Sequence, residues 1–132
     1  MEKAINIAKY IVDKHEEEKI PINNITLNKM LYLIQEENVR CKGEKCFSED
    51  MQAWDFGPVV PEVYWHYCGI GAFPLFNIDK INTKINNKEI IDKIINEYKG
   101  KKPWDYAKKI MKTGSPYDKA YVTKEKYATI KF

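Results

Sequence analysis

Thr26-Leu27-Asn28-Lys29-Met30-Leu31-Tyr32-Leu33-Ile34 is the stretch on which the fold turns. Thr26 suits a helix cap, because its side-chain oxygen can accept a bond from a free backbone N–H of the first turn. Leu27, Met30, Leu31 and Ile34 recur at helical spacing, and Tyr32 and Leu33 widen the apolar stripe. A helix apolar over more than half its girth belongs in the middle of a core. The spacing predicts a central helix from Leu27 to about Arg40, with further helices packed around it.

On the amino-terminal side, Ala4, Ile5, Ala8, Ile11 and Val12 form one stripe, predicting a helix over about 2–18. Glu16, Glu17 and Glu18 crowd its carboxyl end, where the helix dipole disfavours acids. That end reads as solvated, and His15 beside it likewise. Pro21 stops continuation and opens a short loop.

On the carboxyl side, Lys42-Gly43-Glu44-Lys45 reads as a turn and the aromatics of 51–56 favour an extended element. A helix follows from Pro61 to near Gly69, with Gly71 as a second break, and 74–78 is expected to be a strand pairing with the first. Ile90, Ile91, Ile94, Ile95 and Tyr98 predict a helix over 88–99, capped by Asn87 and ended by Gly100. Another runs from Pro103 to about Lys112, expected to bury Trp104, Ala107, Ile110 and Met111, before a stop at Thr113-Gly114-Ser115-Pro116. Residues 123–132 are open between a short helix and an edge strand. The expected fold is mainly α: a compact bundle of about five helices with a small β-hairpin or short strands, in one domain over 1–132.

Composition bounds the function. Hydrophobic content of 44% and charged content of 31% are ordinary for a globular chain. No apolar run is long enough to span a membrane, and Met1-Glu2-Lys3-Ala4-Ile5-Asn6 lacks the apolar stretch of a signal peptide. The expectation is a cytoplasmic protein without membrane insertion. Net charge is +3 but uneven: residues 99–132 carry 10 Lys against three acids, a balance of +7, so residues 1–98 total −4. The basic part reads either as solvated helix faces or as a surface for nucleic acid or an acidic partner.

Cys41, Cys46, His66 and Cys68 could in principle supply four zinc ligands, but Cys-x4-Cys with His-x-Cys is not a zinc spacing in common use. Residues two apart on a helix point about 200° apart, so His66 and Cys68 would not easily share an ion. Metal and cofactor are therefore expected to be none. No Gly-rich phosphate loop, Gly-x-Ser-x-Gly elbow or paired-carboxylate motif occurs, and only two histidines are present. No catalytic residue is assigned, and no enzyme is expected. Trp104, Tyr106, Tyr117, Tyr121 and Tyr127 lie among the carboxyl-terminal lysines, the mixture that holds single strands. Arg40 is the only arginine able to give the two-point contact that guanine readers favour. Sequence-specific nucleic-acid binding is not expected.

The remaining conspicuous run is Ala53-Trp54-Asp55-Phe56-Gly57-Pro58-Val59-Val60-Pro61-Glu62-Val63-Tyr64. Gly57 can take backbone angles costly to other residues, Pro58 fixes the next φ, and Pro61 suits the first position of a helix. It reads as extended segment, tight corner, then helix. Two readings of its aromatics stand side by side. Trp54, Phe56, Val59, Val63 and Tyr64 are core or half-buried groups, or some are surface anchors for a protein partner. Trp65 is the best single candidate for an exposed anchor. The candidate partner-binding set is Trp54, Asp55, Phe56, Pro58, Tyr64 and Trp65.

This block resembles the A-W-x-Y-G-P-V-x-P-x-V-Y signature of the Panacea domain, a family also described as SocA-like antitoxins or phage-associated GepA-type proteins. Ile25-Thr26-Leu27-Asn28-Lys29-Met30-Leu31-Tyr32 resembles a second block, L-T-x-L-K-L-Q-K-L-L-Y, at fitting spacing. Gly43 with Phe47, and Ser115-Pro116-Tyr117-Asp118-Lys119-Ala120, echo the family's G-x-P-L-F and S-P-W-x-x-A elements; Tyr117 stands where Trp is usual. On these matches Thr26, Leu27, Lys29, Leu31, Tyr32, Gly57, Val59, Val60 and Pro61 are structural motif positions. The resemblance implies an antitoxin that neutralises a cognate toxin by direct binding without catalysis, either blocking it or presenting it to a protease. Two alternatives remain: a phage or mobile-element inhibitor of a host defence protein on the same scaffold, and a lysine-rich nucleic-acid-binding module.

Overall fold

The computed structural model describes residues 1–70, 74–78 and 84–132. At its centre lies α2 (Asn24–Lys42), whose Leu27, Met30, Leu31, Tyr32, Leu33 and Ile34 are all buried, as the spacing predicts. Against it pack α1 (Ala4–Glu17), α3 (Pro61–Tyr67), α4 (Lys88–Tyr98) and α5 (Pro103–Ile110). The helix begins at Asn24 rather than Leu27, because Asn23 is the cap. Its extended backbone sets its side-chain oxygen 2.8 Å from the Thr26 N–H. Thr26 is a donor inside the first turn, not the cap. At the far end Gly43 takes the left-handed φ of +71° and its N–H bonds the Val39 carbonyl at 2.8 Å, closing the helix.

The α4 stripe of Ile90, Ile91, Ile94, Ile95 and Tyr98 is buried in full. Asn87 precedes that helix with a φ of +59° and makes no side-chain cap. Its amide accepts instead from Lys42 Nζ at 2.5 Å, tying the start of α4 to the end of α2. In α5 the buried pair is Tyr106 and Ile110, while Trp104 is 69% exposed and Met111 is also exposed. The expected burial of Trp104 and Met111 is therefore wrong. The helix ends at Ile110, and its inner face is the i, i+4 pair; Trp104, two residues before Tyr106, lies about 200° round the axis. Beyond the expected helices, α6 (Pro116–Tyr121) is capped by Ser115, whose Oγ accepts from the Asp118 N–H at 3.1 Å.

The strands form one antiparallel sheet ordered β2-β1-β3: β1 (Gln52–Trp54), β2 (Gly57–Val59) and β3 (Ala128–Thr129). Residues 123–132 thus supply an edge strand. The strand expected at 74–78 does not form. Asn77 ties that segment to α1, donating to the Lys9 carbonyl and Asp13, each at 2.8 Å, and accepting from Tyr67 Oη at 2.6 Å. The Leu75 N–H goes to the Ile22 carbonyl, in the loop after α1, at 2.9 Å, so the segment is tied to α1 and that loop rather than paired with β1. The break expected at Gly71 lies outside the described residues.

His15 is buried, not solvated; its ring Nδ1 donates to the Ile11 carbonyl at 2.7 Å. Of the acids beside it, Glu16 accepts the Asn77 N–H and Glu18 pairs with Lys99 at 2.7 Å. Among the described residues no helix is long and apolar enough to cross a membrane.

Candidate functional site

The corner between β1 and α3 is built on α2. Register pairs Gln52 with Val59, Ala53 with Pro58 and Trp54 with Gly57, leaving Asp55 and Phe56 at the tip. Gly57 holds a φ of +139°, and a Cβ there would stand 3.0 Å from Lys29 Cε. Only glycine fits both the angle and the space. Pro58 is buried on the outer strand of the sheet, where a missing N–H is tolerated. It supports the corner from within and offers little surface of its own. Val59 and Val60 are buried, and Pro61 opens α3.

Three buried polar contacts lock this geometry. Asn28 Oδ1 accepts the Val60 N–H at 2.9 Å, and its Nδ2 donates back to Asn24. Asn24 Nδ2 in turn donates to the Tyr64 carbonyl at 2.9 Å. Further along α2, Gln35 accepts from the Cys46 N–H at 2.7 Å and donates to the Phe47 carbonyl at 2.9 Å, fixing the approach to β1. Buried amides that satisfy strand and loop backbone in this way hold one register. Asn24, Asn28 and Gln35 stand out in the sequence only as polar residues in an apolar helix.

On this platform the aromatic side chains gather into a ridge. Trp54 lies 5.7 Å from Phe56, 5.1 Å from Tyr64 and 4.9 Å from Tyr127, centroid to centroid. Phe56 stacks on Tyr64 at 5.9 Å, and Tyr64 meets Trp65 edge-on at 5.4 Å. Trp54, Phe56 and Tyr64 are half-buried; Trp65 is 63% exposed and Tyr127 is exposed. These rings are thus neither fully in the core nor fully on the surface: each packs against its neighbours and stays in part accessible.

The ridge is braced by α6. Tyr117 Oη donates to the Trp54 carbonyl, and the Tyr117 N–H reaches Tyr32 Oη at 3.2 Å. Burial pushes the Tyr117 hydroxyl up to about 12, so it stays a donor. Tyr121 Oη donates to Asp55 at 3.2 Å. Between the hairpin tip and the carboxyl-terminal segment lies an open groove of about 700 Å³, walled by Trp54, Asp55, Phe56, Tyr121, Lys124 and Tyr127. Tyr127 reaches the site through the β1–β3 pairing and Tyr121 through the packing of α6 on β1, both distant in sequence.

Elsewhere, Cys41 and Cys68 are exposed and Cys46 is buried. Among the described residues no group of three or more His, Cys, Asp or Glu side chains could hold a metal ion. Arg40 is paired with Glu37 on its own helix. Of the basic-region aromatics, Tyr106 and Tyr117 are buried, while Trp104, Tyr121 and Tyr127 are exposed.

The profile of the family described as "Antitoxin SocA-like, Panacea domain" matches residues 27–116. The chain belongs to the SocA-like Panacea family. The matched stretch runs from the first turn of α2 to the start of α6, so it takes in the corner, Lys29 and every ridge ring except Tyr127. The chain is also 38% identical over 71 residues to a protein named Antitoxin SocA from Caulobacter vibrioides (strain NA1000 / CB15N). That match covers 54% of this chain and 38% of the relative's length. No solved structure matches the chain.

Proposed function

We propose that this Panacea-family chain is an antitoxin that neutralises a toxin protein by direct, non-catalytic binding, using the ridge of Trp54, Phe56, Tyr64 and Trp65. The carrying observation is an exposed aromatic surface fixed by buried hydrogen bonds, within a chain of an antitoxin family. Large rings already held in place lose little freedom on docking, and buried aromatic anchors commonly dominate interface energies. Asp55 at the tip, held by Tyr121, adds a polar contact to the rim. The uneven charge between residues 1–98 and 99–132 would orient an approaching partner. The same surface would serve an inhibitor of a host defence protein, and the neighbouring genes distinguish the two partners.

A second reading draws on Trp104, exposed at the start of α5 with Lys101, Lys102 and Lys108 also exposed around it. Such a face could hold a nucleic-acid backbone and stack a base.

Co-expression of the tagged chain with the product of its adjacent reading frame, scored by growth and by co-purification, tests the proposal. A stable complex with rescued growth is expected. No complex and no rescue, with the chain instead retained on DNA in a steeply salt-dependent way, would overturn it in favour of the second reading.

A further inference from the structure

The carboxyl-terminal strand leaves one row of backbone groups unused. β3 lies at the edge of the sheet and pairs on one side only, with β1. The Ile130 N–H bonds the Met51 carbonyl at 2.8 Å, and Ala128 stands opposite Ala53, so Ala128 and Ile130 turn their backbone groups toward β1. These directions alternate along an antiparallel ladder, so the N–H and carbonyl of Thr129 face away from the sheet. Thr129 is exposed, and so is Lys131 two residues on. Among the described residues no hydrogen bond outside the β1 ladder reaches either N–H.

A groove of about 420 Å³ runs between this strand and α6. Pro116, Ala120 and Ala128 give it small apolar surface, and of its charged groups Lys119 and Lys131 outnumber Glu125. Lys124 and Lys126, on either side of Glu125 in sequence, are exposed as well. Among the described residues none of these four lysines forms an ion pair.

An unpaired strand edge is a template for one more strand. An extended segment that takes it gains main-chain hydrogen bonds and sends alternate side chains to either face. Charge decides which segment fits. A second copy of this chain would bring the same lysines to the seam, and like charges set opposite each other destabilise a strand pair. An acidic segment meets them with the opposite sign.

We propose that the outer edge of β3, with the groove against α6, receives an extended acidic segment of the protein partner as a fourth strand. This rests on the reading that the chain works by binding a protein, and it adds to the ridge a second contact made through the backbone. The Thr129 N–H and carbonyl and the Lys131 N–H bond the incoming strand, while Lys119 and Lys131 meet its carboxylates.

The test uses the free full-length chain and synthetic peptides, so its outcome is separate from whether any toxin is neutralised. The probe is a capped Glu-Val-Glu-Val-Glu peptide. Its controls are the same peptide methylated at every backbone nitrogen, and Lys-Val-Lys-Val-Lys. The acidic peptide should shift the Thr129 and Lys131 amide resonances saturably and slow hydrogen exchange at Thr129, and neither control should do so. Thr129→Pro deletes the outward N–H and keeps the bonds of Ala128 and Ile130 to β1, a place where edge strands tolerate proline. Calorimetry should show that it no longer binds the peptide. Lys119→Glu combined with Lys131→Glu, both at exposed positions, should weaken binding at least tenfold. No saturable shift of Thr129, an equal shift from the methylated peptide, or undiminished binding by the charge-reversed chain would overturn the proposal. So would a Thr129 amide that shifts with protein concentration alone, since a second copy would then fill the edge.

Discussion

At the scale of single residues, His15 shows how a buried titratable group ties stability to pH. It lies on the last turn of α1 with Glu18 and Lys99 nearby. Burial is the largest influence and holds its pKa below the ordinary 6.5, against the upward pull of the Ile11 carbonyl and Glu18. The folded state therefore prefers the neutral ring. Stability from this site is complete above the unfolded value and declines as pH falls from about 6.5 through the lower folded value, because the unfolded chain binds the proton first. Urea midpoints of the wild type should fall between pH 7 and 5, and His15→Gln should flatten that slope. Parallel slopes for the two proteins would refute the assignment. Its neighbours in sequence put His15 among solvated acids; the fold buries it on the inner side of α1, and no local pattern distinguishes the two.

At the scale of elements, the Gly57 corner carries the sharpest steric prediction. Gly57→Ala must accept a φ of +139° and a contact of 3.0 Å with Lys29 Cε. A strained backbone of this kind costs about 1–3 kcal/mol. Gly69→Ala, in the 3-10 turn Cys68–Ile70, meets nothing within 4 Å and serves as the control. Chemical unfolding should show a clear loss for Gly57→Ala and almost none for Gly69→Ala; equal effects would contradict the packing described. The corner, α2 and α4 were legible in the sequence because each carries its own signal: Gly-Pro and Pro in order, or apolar residues at helical spacing over several turns. Trp104 was misplaced because an eight-residue helix offers too few turns to choose its inner face. Residues 74–78 look like a strand locally, yet the side chain of Asn77 commits them to α1, a contact some sixty residues away in the chain. Tyr127 joins the ridge only through the pairing of Ala128 with Ala53, which no periodicity encodes.

Across the whole molecule, one buried helix supports both the core and the candidate binding face. The apolar side of α2 anchors α1, α4 and α5, and its Asn24, Asn28 and Lys29 hold or underlie the corner. The ridge is thereby held by hydrogen bonds from α2 and α6 without lying in the core, so binding and stability should separate on mutation. Trp65, 63% exposed, is the residue at which they separate most cleanly. The most direct measurement is the affinity of the adjacent reading frame's purified product for the wild type and for Trp65→Ala, with the thermal midpoint of each. The account predicts binding weakened at least tenfold, since buried aromatic anchors are worth about 2 kcal/mol or more, with the midpoint unchanged within about 1 °C. Unaltered affinity, or a midpoint that drops with the affinity, would contradict the ridge as the surface that meets the partner.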